Sequence, residues 1–211
     1  MLPRFPIARE GWPFILLPGA IAIGLALARR GFLATPFAAA SLLSIGFFRD
    51  PERTAPSEEA NAVLAPADGR VTLVEEAEDT FVGPSVRIAI FLSPLDVHVN
   101  RSPIAGLVVG SIYTPGRFVA AYKAGAGDLN EQCAVHIQGE TARVTVVQIA
   151  GAAARRIVCR VGSGDKLQAG DRFGMIRFGS RTDCYLPRGS DIRVRVGDRV
   201  VGGVTVVGLL P

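Results

Sequence analysis

The chain has 211 residues, of which 49% are hydrophobic and 20% are charged, and its mean hydropathy is +0.33. A chain this apolar is not intrinsically disordered, and its length allows one domain of about 150 residues with an extension. The net charge is +4, and only two of the 23 basic residues are lysines. The lysine-rich patches of proteins that coat nucleic acids are missing, so we expect no nucleic-acid partner.

Two uncharged apolar stretches open the chain, Trp12 to Ala28 and Gly31 to Phe48, with Arg29-Arg30 between them. Each stretch is at the short end of what can cross a hydrocarbon layer of about 30 Å. Arginine is costly in the middle of a bilayer, so the arginine pair should lie at an interface. The pattern predicts a hydrophobic helical hairpin over residues 1–49 that anchors the protein in the cell membrane.

The side of the membrane follows from the arginines that flank the hairpin. Arg4 and Arg9 precede it, and Arg49 and Arg53 follow it. By the positive-inside rule both ends, and the domain that follows, are expected on the cytoplasmic side. A cleaved signal peptide is disfavoured because a second apolar run follows the first and no small-residue cleavage site is visible. A shallow re-entrant or interfacial hairpin stays open as an alternative.

A mainly β domain is predicted after the hairpin. Residues 50–61, DPERTAPSEEAN, have the composition of a linker, and a soluble domain is expected at residues 62–211. Short runs rich in β-branched residues and bounded by glycine predict strands. These runs are residues 69–74, 86–91, 142–147 and 155–159. One stretch, residues 117–123, favours a short helix.

A weak repeat lies in the second half of the domain, where GDKLQAG at 164–170 recurs as GDRVVGG at 197–203. Each copy predicts a tight turn, and the pair suggests two equivalent hairpins in a closed sheet. This glycine-punctuated pattern resembles the barrel-sandwich hybrid of biotinyl and lipoyl carrier domains, which is the fold class we expect. A carrier function is disfavoured because the sequence around Lys166 does not match the carrier attachment patterns.

Few side chains are candidates for chemistry. His98 lies in FLSPLDVHVNRSP directly after an apolar run, whereas His136 lies in an alternating run and is expected to be structural. The histidine spacings that bind metals do not occur, so no metal site is predicted. The three cysteines contain no CxxC pair, so we expect buried, inert thiols; they are Cys133, Cys159 and Cys184.

Three short segments carry a family resemblance. PADG at 66–69, SPLDVH at 93–98 and FGSRTDCYLP at 178–187 occur in this order, together with ARRIV at 154–158 and an apolar N-terminus. The combination resembles phosphatidylserine decarboxylase proenzymes of the short, archaeal-type subgroup. The similarity covers nearly the whole chain, and its specificity comes from several motifs in the right order rather than from any one of them.

The resemblance implies a pyruvoyl-dependent enzyme that converts membrane phosphatidylserine to phosphatidylethanolamine and CO2 in phospholipid biosynthesis. The Ser180 hydroxyl would attack the carbonyl of Gly179, and elimination with loss of ammonia would leave a pyruvoyl group on residue 180. The products would be a β chain, residues 1–179, and an α chain, residues 180–211, held together as a heterodimer that can oligomerise further. The pyruvoyl carbonyl would form a Schiff base with the substrate amine, so neither pyridoxal phosphate nor a metal is expected.

Two further catalytic residues follow by analogy with Ser-His-Asp triads. His98 is assigned as the base that deprotonates Ser180, and Asp68 as the carboxylate that orients the imidazole. The alternative for Asp68 is a turn residue of the PADG segment.

One position departs from the pattern of many relatives. They carry a second histidine three residues after the first, and here that position is Arg101. His98 would then serve both self-cleavage and decarboxylation, or water or Arg101 would take one part. Arg101, Arg177 and Arg181 are candidates to bind the phosphate or carboxylate of the substrate.

A non-enzymatic, membrane-anchored β-barrel adaptor is the alternative function. Such a protein would need no Gly-Ser cleavage. The chain lacks the long heptad hairpin that is typical of these adaptors.

Overall fold

The computed structural model describes residues 6–55, 61–118, 129–151, 156–177 and 180–211. These residues divide into two compact units, Met1–Glu52 and Arg53–Pro211. The sequence predicts a linker over residues 50–61, but Arg53 belongs to the second unit. The helices are a short 3₁₀ helix at Arg9–Gly11, α1 at Trp12–Leu27 and α2 at Gly31–Phe47.

The first unit is the predicted hairpin of apolar helices. Ser41 Oγ on α2 donates a hydrogen bond to the Ile15 carbonyl on α1 at 2.8 Å. Near the open end of the hairpin, the rings of Phe14 and Phe48 stack with their centroids 5.4 Å apart. The connection between the helices is tight, because Arg29 has a φ of 56°, which residues other than glycine adopt mainly in turns.

Both helices carry large apolar side chains on their exposed surfaces, among them Phe14, Leu17, Ile23, Phe32 and Leu43. The helical segment Arg9–Leu27 has 19 residues and is long and apolar enough to cross a membrane, whereas Gly31–Phe47 is shorter. At 1.5 Å per residue the two segments are about 28 Å and about 25 Å long. These lengths are close to the roughly 30 Å of a bilayer core.

The second unit is built almost entirely of antiparallel strands. In the described part of the chain they are β1 Ala62–Leu64, β2 Gly69–Asp79, β3 Gly83–Leu92, β4 Val99–Arg101, β5 Gly106–Thr114, β6 Gln132–Gln138, β7 Arg143–Ala150, β8 Ile157–Cys159, β9 Lys166–Leu167, β10 Arg172–Ile176, β11 Ser180–Pro187, β12 Asp191–Ile192, β13 Arg199–Val200 and β14 Val206–Leu209.

One large sheet forms the frame of this unit. Its order is β13-β2-β3-β11-β7-β6-β5-β9, and two three-stranded sheets accompany it, β1-β14-β12 and β4-β10-β8. The large sheet curls into a half-barrel around a core of aliphatic side chains, among them Ile88, Ile90, Val135, Val144 and Leu186. The predicted fold class, a mainly β domain behind an apolar helical hairpin, is confirmed.

The predicted strands agree with the observed ones. Residues 69–74 lie in β2 and residues 86–91 in β3, while the runs at 142–147 and 155–159 contribute to β7 and β8. The predicted helix at 117–123 lies mostly outside the described residues. Arg117 itself forms a β-bridge with Asn130.

The two repeat copies adopt equivalent structures. Their first glycines, Gly164 and Gly197, have φ of 96° and 102°, and their last, Gly170 and Gly203, have φ of 85° and 72°. The two-residue strands β9 and β13 occupy the same place in each copy and form the two edges of the large sheet. The prediction of two tight hairpins is wrong, because β9 pairs with β5 and β13 with β2. A Gly-Asp turn fixes where the chain reverses but not which strand it then meets.

His136 is held as a structural residue on the large sheet. It is 8% exposed, and its Nδ1 lies 3.0 Å from Thr145 Oγ1. The Thr145 hydroxyl donates to Asp79 Oδ1 at 2.9 Å, and the Phe81 ring centroid is 4.8 Å from that of the imidazole. His136 pairs with Thr145 of β7, which pairs with Tyr185 of β11. Tyr185 is five residues from the start of β11, so His136 is about 17 Å from that end, measured along the strand direction.

The buried His136 predicts a pH-dependent stability. Burial lowers the pKa of His136, and the charge of Asp79 only partly opposes this effect. The unfolded chain, in which the histidine pKa is about 6.5, therefore takes up the proton at a higher pH than the folded one, and stability is lost as the pH falls below about 6.5. We expect His136→Asn to be less stable than the wild type by about 1 kcal/mol at pH 7.5. Because asparagine does not titrate, this difference should shrink at pH 5.5.

Thermal unfolding in detergent, followed by circular dichroism at both pH values, measures the two Tm differences. A difference that grows at pH 5.5 would contradict the assignment of a neutral, buried imidazole.

Candidate active site

His98 precedes β4 and is oriented by the turn before it. Asp96 Oδ2 accepts hydrogen bonds from the Ser93 amide at 2.8 Å and from the Ser93 hydroxyl at 2.7 Å, which closes the turn. The Asp96 carbonyl oxygen lies 2.9 Å from His98 Nδ1, and the imidazole is fully buried. Because a carbonyl only accepts, Nδ1 carries the proton of the neutral ring and Nε2 is the basic nitrogen.

Ser180 is the first residue of β11 and is fully buried. It pairs with Leu92 of β3 and Ala150 of β7. Its hydroxyl oxygen has no hydrogen-bond partner in the part of the chain that the structure describes. A buried polar group without a partner costs about 1–3 kcal/mol, so this hydroxyl is not there for stability. Gly179, the other half of the predicted cleavage site, lies outside the described residues.

A buried polar network next to Ser180 was not predicted from the sequence. Asn100 Nδ2 on β4 donates to Thr182 Oγ1 on β11 at 3.0 Å, and Gln148 Nε2 on β7 donates to Asn100 Oδ1 at 2.9 Å. All three side chains are fully buried. One amide group thus links a strand of a small sheet to two strands of the large one.

This network relates the positions of His98 and Ser180. Ser180 and Thr182 are two residues apart on β11 and point to the same face, and His98 lies two residues before Asn100, just ahead of β4. The Ile176 amide, at the end of β10 and four residues before Ser180, donates to the His98 carbonyl at 3.2 Å. The backbone of His98 is therefore bonded to the end of β10, the strand that precedes Ser180 in the chain.

Asp68 has a different partner from the one predicted. Arg53 donates to both of its carboxylate oxygens, at 2.5 Å and 2.8 Å, and the Gly202 amide donates to Oδ1 at 2.8 Å. The atom that contacts His98 Nδ1 is the Asp96 carbonyl oxygen, and a catalytic role of Asp68 stays a prediction. The planar guanidinium of Arg53 matches a carboxylate with two parallel hydrogen bonds, which occupy both oxygens.

Arg101 is packed inside the second unit. It is 2% exposed, and its Nη1 donates to the Gly170 carbonyl at 3.1 Å. Gly203 and Gly170, the last glycines of the two repeat copies, lie close together beside the Arg101 side chain. A Cβ atom built on Gly203 would be 2.6 Å from Arg101 Cδ and 3.5 Å from Gly170 Cα, so Arg101 fills the seam where the two copies meet. The predicted role of Arg101 in binding the substrate stays a prediction.

The other two arginine candidates differ in their surroundings. Arg181 donates through Nε and Nη2 to the carboxylate of Asp183, at 2.5 Å and 2.7 Å. Burial raises the pKa of Asp183, while the charges of Arg181 and Arg87 oppose that rise. Arg177 follows β10, is half-buried, and lies three residues before Ser180. Binding of the substrate by Arg177 or Arg181 stays a prediction.

The cysteines do not all match the prediction of inert thiols. Cys184 is fully buried in the core, and burial raises its pKa. Cys133 and Cys159, however, lie on either side of the Ser111 hydroxyl, 3.5 Å and 3.3 Å away. Within the described ranges, no group of three or more His, Cys, Asp or Glu side chains is placed to hold a metal ion.

The Asn100–Thr182 hydrogen bond predicts strong coupling between the two residues. Asn100→Ala should destabilise the protein by about 1–3 kcal/mol, since it leaves Thr182 Oγ1 and Gln148 Nε2 without their partner. Once Asn100 is gone, Thr182→Val should cost much less than it does in the wild type, with a coupling energy of about 0.5–3 kcal/mol. Urea unfolding of the four proteins of this double-mutant cycle in detergent measures the coupling. Additive losses would show that the hydrogen bond contributes no stability.

Comparison with known proteins places the chain in a family. The family model for phosphatidylserine decarboxylase matches residues 41–208. A phosphatidylserine decarboxylase proenzyme of Symbiobacterium thermophilum is 49% identical over 208 residues, which cover 97% of this chain and 96% of that protein. Proenzymes of the same name from Geobacter metallireducens and Burkholderia mallei are 46% and 47% identical, and each alignment covers 97% of the relative and at least 98% of this chain. The archaeal-type subgroup stays a prediction, but the chain belongs to the phosphatidylserine decarboxylase family.

Proposed function

We propose that the protein removes CO2 from the serine headgroup of phosphatidylserine and leaves phosphatidylethanolamine. The single observation that carries this proposal is the Ser180 hydroxyl, which is buried and has no hydrogen-bond partner among the described residues, in a chain of this family. A non-enzymatic adaptor is not favoured, because it would gain nothing from keeping a hydroxyl buried without a hydrogen bond.

The first reaction is cleavage of the chain by its own residues. The Ser180 oxygen attacks the Gly179 carbonyl carbon, His98 Nε2 takes the hydroxyl proton, and the peptide C–N bond breaks as the ester C–O bond forms. Loss of the α-proton of residue 180 then breaks the ester and leaves Gly179 with a free carboxylate. Water displaces ammonia from the new N-terminus, which becomes a pyruvoyl group. Residues 1–179 and 180–211 remain associated through β11, which lies between β3 and β7.

The surroundings of Ser180 fit this conversion. Burial of the hydroxyl is costly. The conversion turns the CH2–OH group of Ser180 into a methyl group, which needs no hydrogen bond. Leu92 and Ala150, the strand neighbours of Ser180, are apolar and fully buried. The pyruvoyl group supplies the electron-accepting carbonyl that decarboxylation of an amino acid requires.

The chain's own residues have separate tasks in the second reaction. His98 can carry a proton at Nε2, since the Asp96 carbonyl keeps the ring proton on Nδ1. Arg101 cannot share this task, because a guanidinium does not release its proton in proteins and its side chain fills the seam between the repeat copies. Arg177 is our candidate to bind the phosphate or carboxylate of the substrate.

The helical hairpin is proposed to hold the enzyme at the cell membrane, where its substrate lies. The exposed apolar side chains of α1 and α2 support this role, and the flanking arginines favour a cytoplasmic catalytic unit. Anchoring raises the concentration of the enzyme at the lipid surface without changing its catalytic groups.

Self-cleavage is tested on a denaturing gel of the purified protein. The wild type should separate into a large and a small fragment, with the small one blocked to amino-terminal sequencing. Ser180→Ala should remain one intact chain without decarboxylase activity, because no hydroxyl is left to attack. Ser190→Ala is the matched control, since its hydroxyl only donates to the Pro187 carbonyl in a nearby turn, and it should cleave normally.

The same gel tests the base. His98→Ala should cleave at least about a hundredfold more slowly, which is the usual contribution of a general base, whereas His136→Ala should cleave like the wild type. An active wild-type enzyme that runs as one intact chain would overturn the mechanism. Normal cleavage of His98→Ala would overturn the choice of base.

The anchoring role predicts a substrate-dependent effect of truncation. A protein that lacks residues 1–49 should still cleave itself, because Ser180 and His98 both lie in the second unit. Its activity should fall far more on phosphatidylserine in vesicles than on a short-chain, monomeric substrate. Decarboxylation rates on both substrates, compared with those of the full chain, measure the effect. Equal losses on both would show that the hairpin contributes to the active site itself.

A further inference from the structure

Two cysteines that are distant in the sequence meet on the second unit. Cys133 lies on β6, opposite Tyr113 of β5 and Gln148 of β7. Cys159 ends β8 and pairs with Gly174 of β10 in one of the small sheets. The two thiols thus face each other between strands that are not paired, which no spacing in the sequence reveals.

Ser111 joins the two thiols. Its Oγ lies 3.5 Å from Cys133 Sγ and 3.3 Å from Cys159 Sγ, so one hydroxyl contacts both thiols. A disulfide needs the two sulfur atoms about 2.05 Å apart, so the two side chains must rotate toward each other to form one. We refer to Cys133, Ser111 and Cys159 as the thiol cluster.

The two thiols differ in charge and in exposure. The hydrogen bond from Cys133 lowers the pKa of Cys159 to about 6, with a second contribution from the Ser111 hydroxyl, whereas the pKa of Cys133 is raised by the same contact and by burial. Cys133 is 3% exposed, while Cys159 is half-buried and Ser111 is exposed. A reagent from solution therefore meets Cys159 first, and the thiolate is the reactive form of cysteine.

We propose that the thiol cluster is an oxidation site, in which Cys159 reacts with a small hydroperoxide and Cys133 then closes a disulfide. In the first step the Cys159 sulfur bonds to one peroxide oxygen, the O–O bond breaks, and water or an alcohol leaves. In the second step the Cys133 sulfur attacks the Cys159 sulfur, the S–S bond forms, and the sulfenic oxygen leaves as water. The thiols lose two electrons, the peroxide gains them, and a dithiol reductant reverses the change.

The site adjoins the network that positions Thr182. Gln148, which pairs with Cys133, donates to Asn100 and also approaches the carbonyl of Val158, the residue before Cys159, at 3.4 Å. A disulfide would therefore tie β6 to β8 beside this network. The inference concerns thiol chemistry alone and does not depend on the proposed decarboxylase activity.

The test uses the full-length protein in detergent, with hydrogen peroxide as the probe. After treatment at neutral pH and blocking of free thiols with N-ethylmaleimide, peptide mass spectrometry should find Cys133 joined to Cys159 and Cys184 alkylated. Dithiothreitol should restore both thiols. A second measurement needs no variant: limited iodoacetamide should label Cys159 at least about tenfold faster than Cys184 in the untreated protein.

Three serine variants assign the two roles. Cys159→Ser should lose the reaction with peroxide. Cys133→Ser should form no disulfide, and its Cys159 should instead form a sulfenic acid that dimedone traps. Cys184→Ser is the matched control and should oxidise like the wild type. The proposal is overturned if Cys133 and Cys159 stay reduced in the wild type, or if iodoacetamide labels Cys184 as fast as Cys159.

Discussion

The hydrogen bonds of Asn100 are the constraint on which the candidate site depends. Its amide accepts from Gln148 and donates to Thr182, and one orientation of the amide satisfies both contacts. The two sheets are thereby fixed in register at the point where β4 brings His98 and β11 begins with Ser180. Apolar packing alone would hold the sheets together but would tolerate small shifts between them.

The Ser180 hydroxyl lies next to this network but has no hydrogen bond to it. Thr182 and Ser180 lie on the same face of β11, and one is hydrogen-bonded while the other is not. The hydrogen bonds of Asn100 stabilise the surroundings of Ser180, whereas the Ser180 hydroxyl itself costs about 1–3 kcal/mol. The precursor thus holds an unfavourable group at the bond that is proposed to react, and the proposed conversion removes that group.

Sequence and structure agree where the information is local. Runs of β-branched residues predicted the strands, and ordered motifs predicted the family. The sequence could not predict the partner of Asp68, because Arg53 comes from a segment with the composition of a linker. It could not predict the Asn100 network or the thiol cluster either, since each joins residues that only the curled sheet brings together. The repeat predicted equivalent turns, but the pairing of β9 and β13 with distant strands is a property of the closed topology.

The change of partner at His98 has a chemical consequence. A carboxylate at Nδ1 would fix the tautomer and also favour the charged imidazolium, whereas the Asp96 carbonyl fixes the tautomer without adding a negative charge. The neutral ring is the form that can accept a proton from Ser180. The two oxygens of Asp68 bind Arg53 and the Gly202 amide and so connect the start of the second unit to the second repeat copy. The motif therefore predicts which residue types are present, but only the contacts in this chain show that the Asp96 carbonyl orients His98.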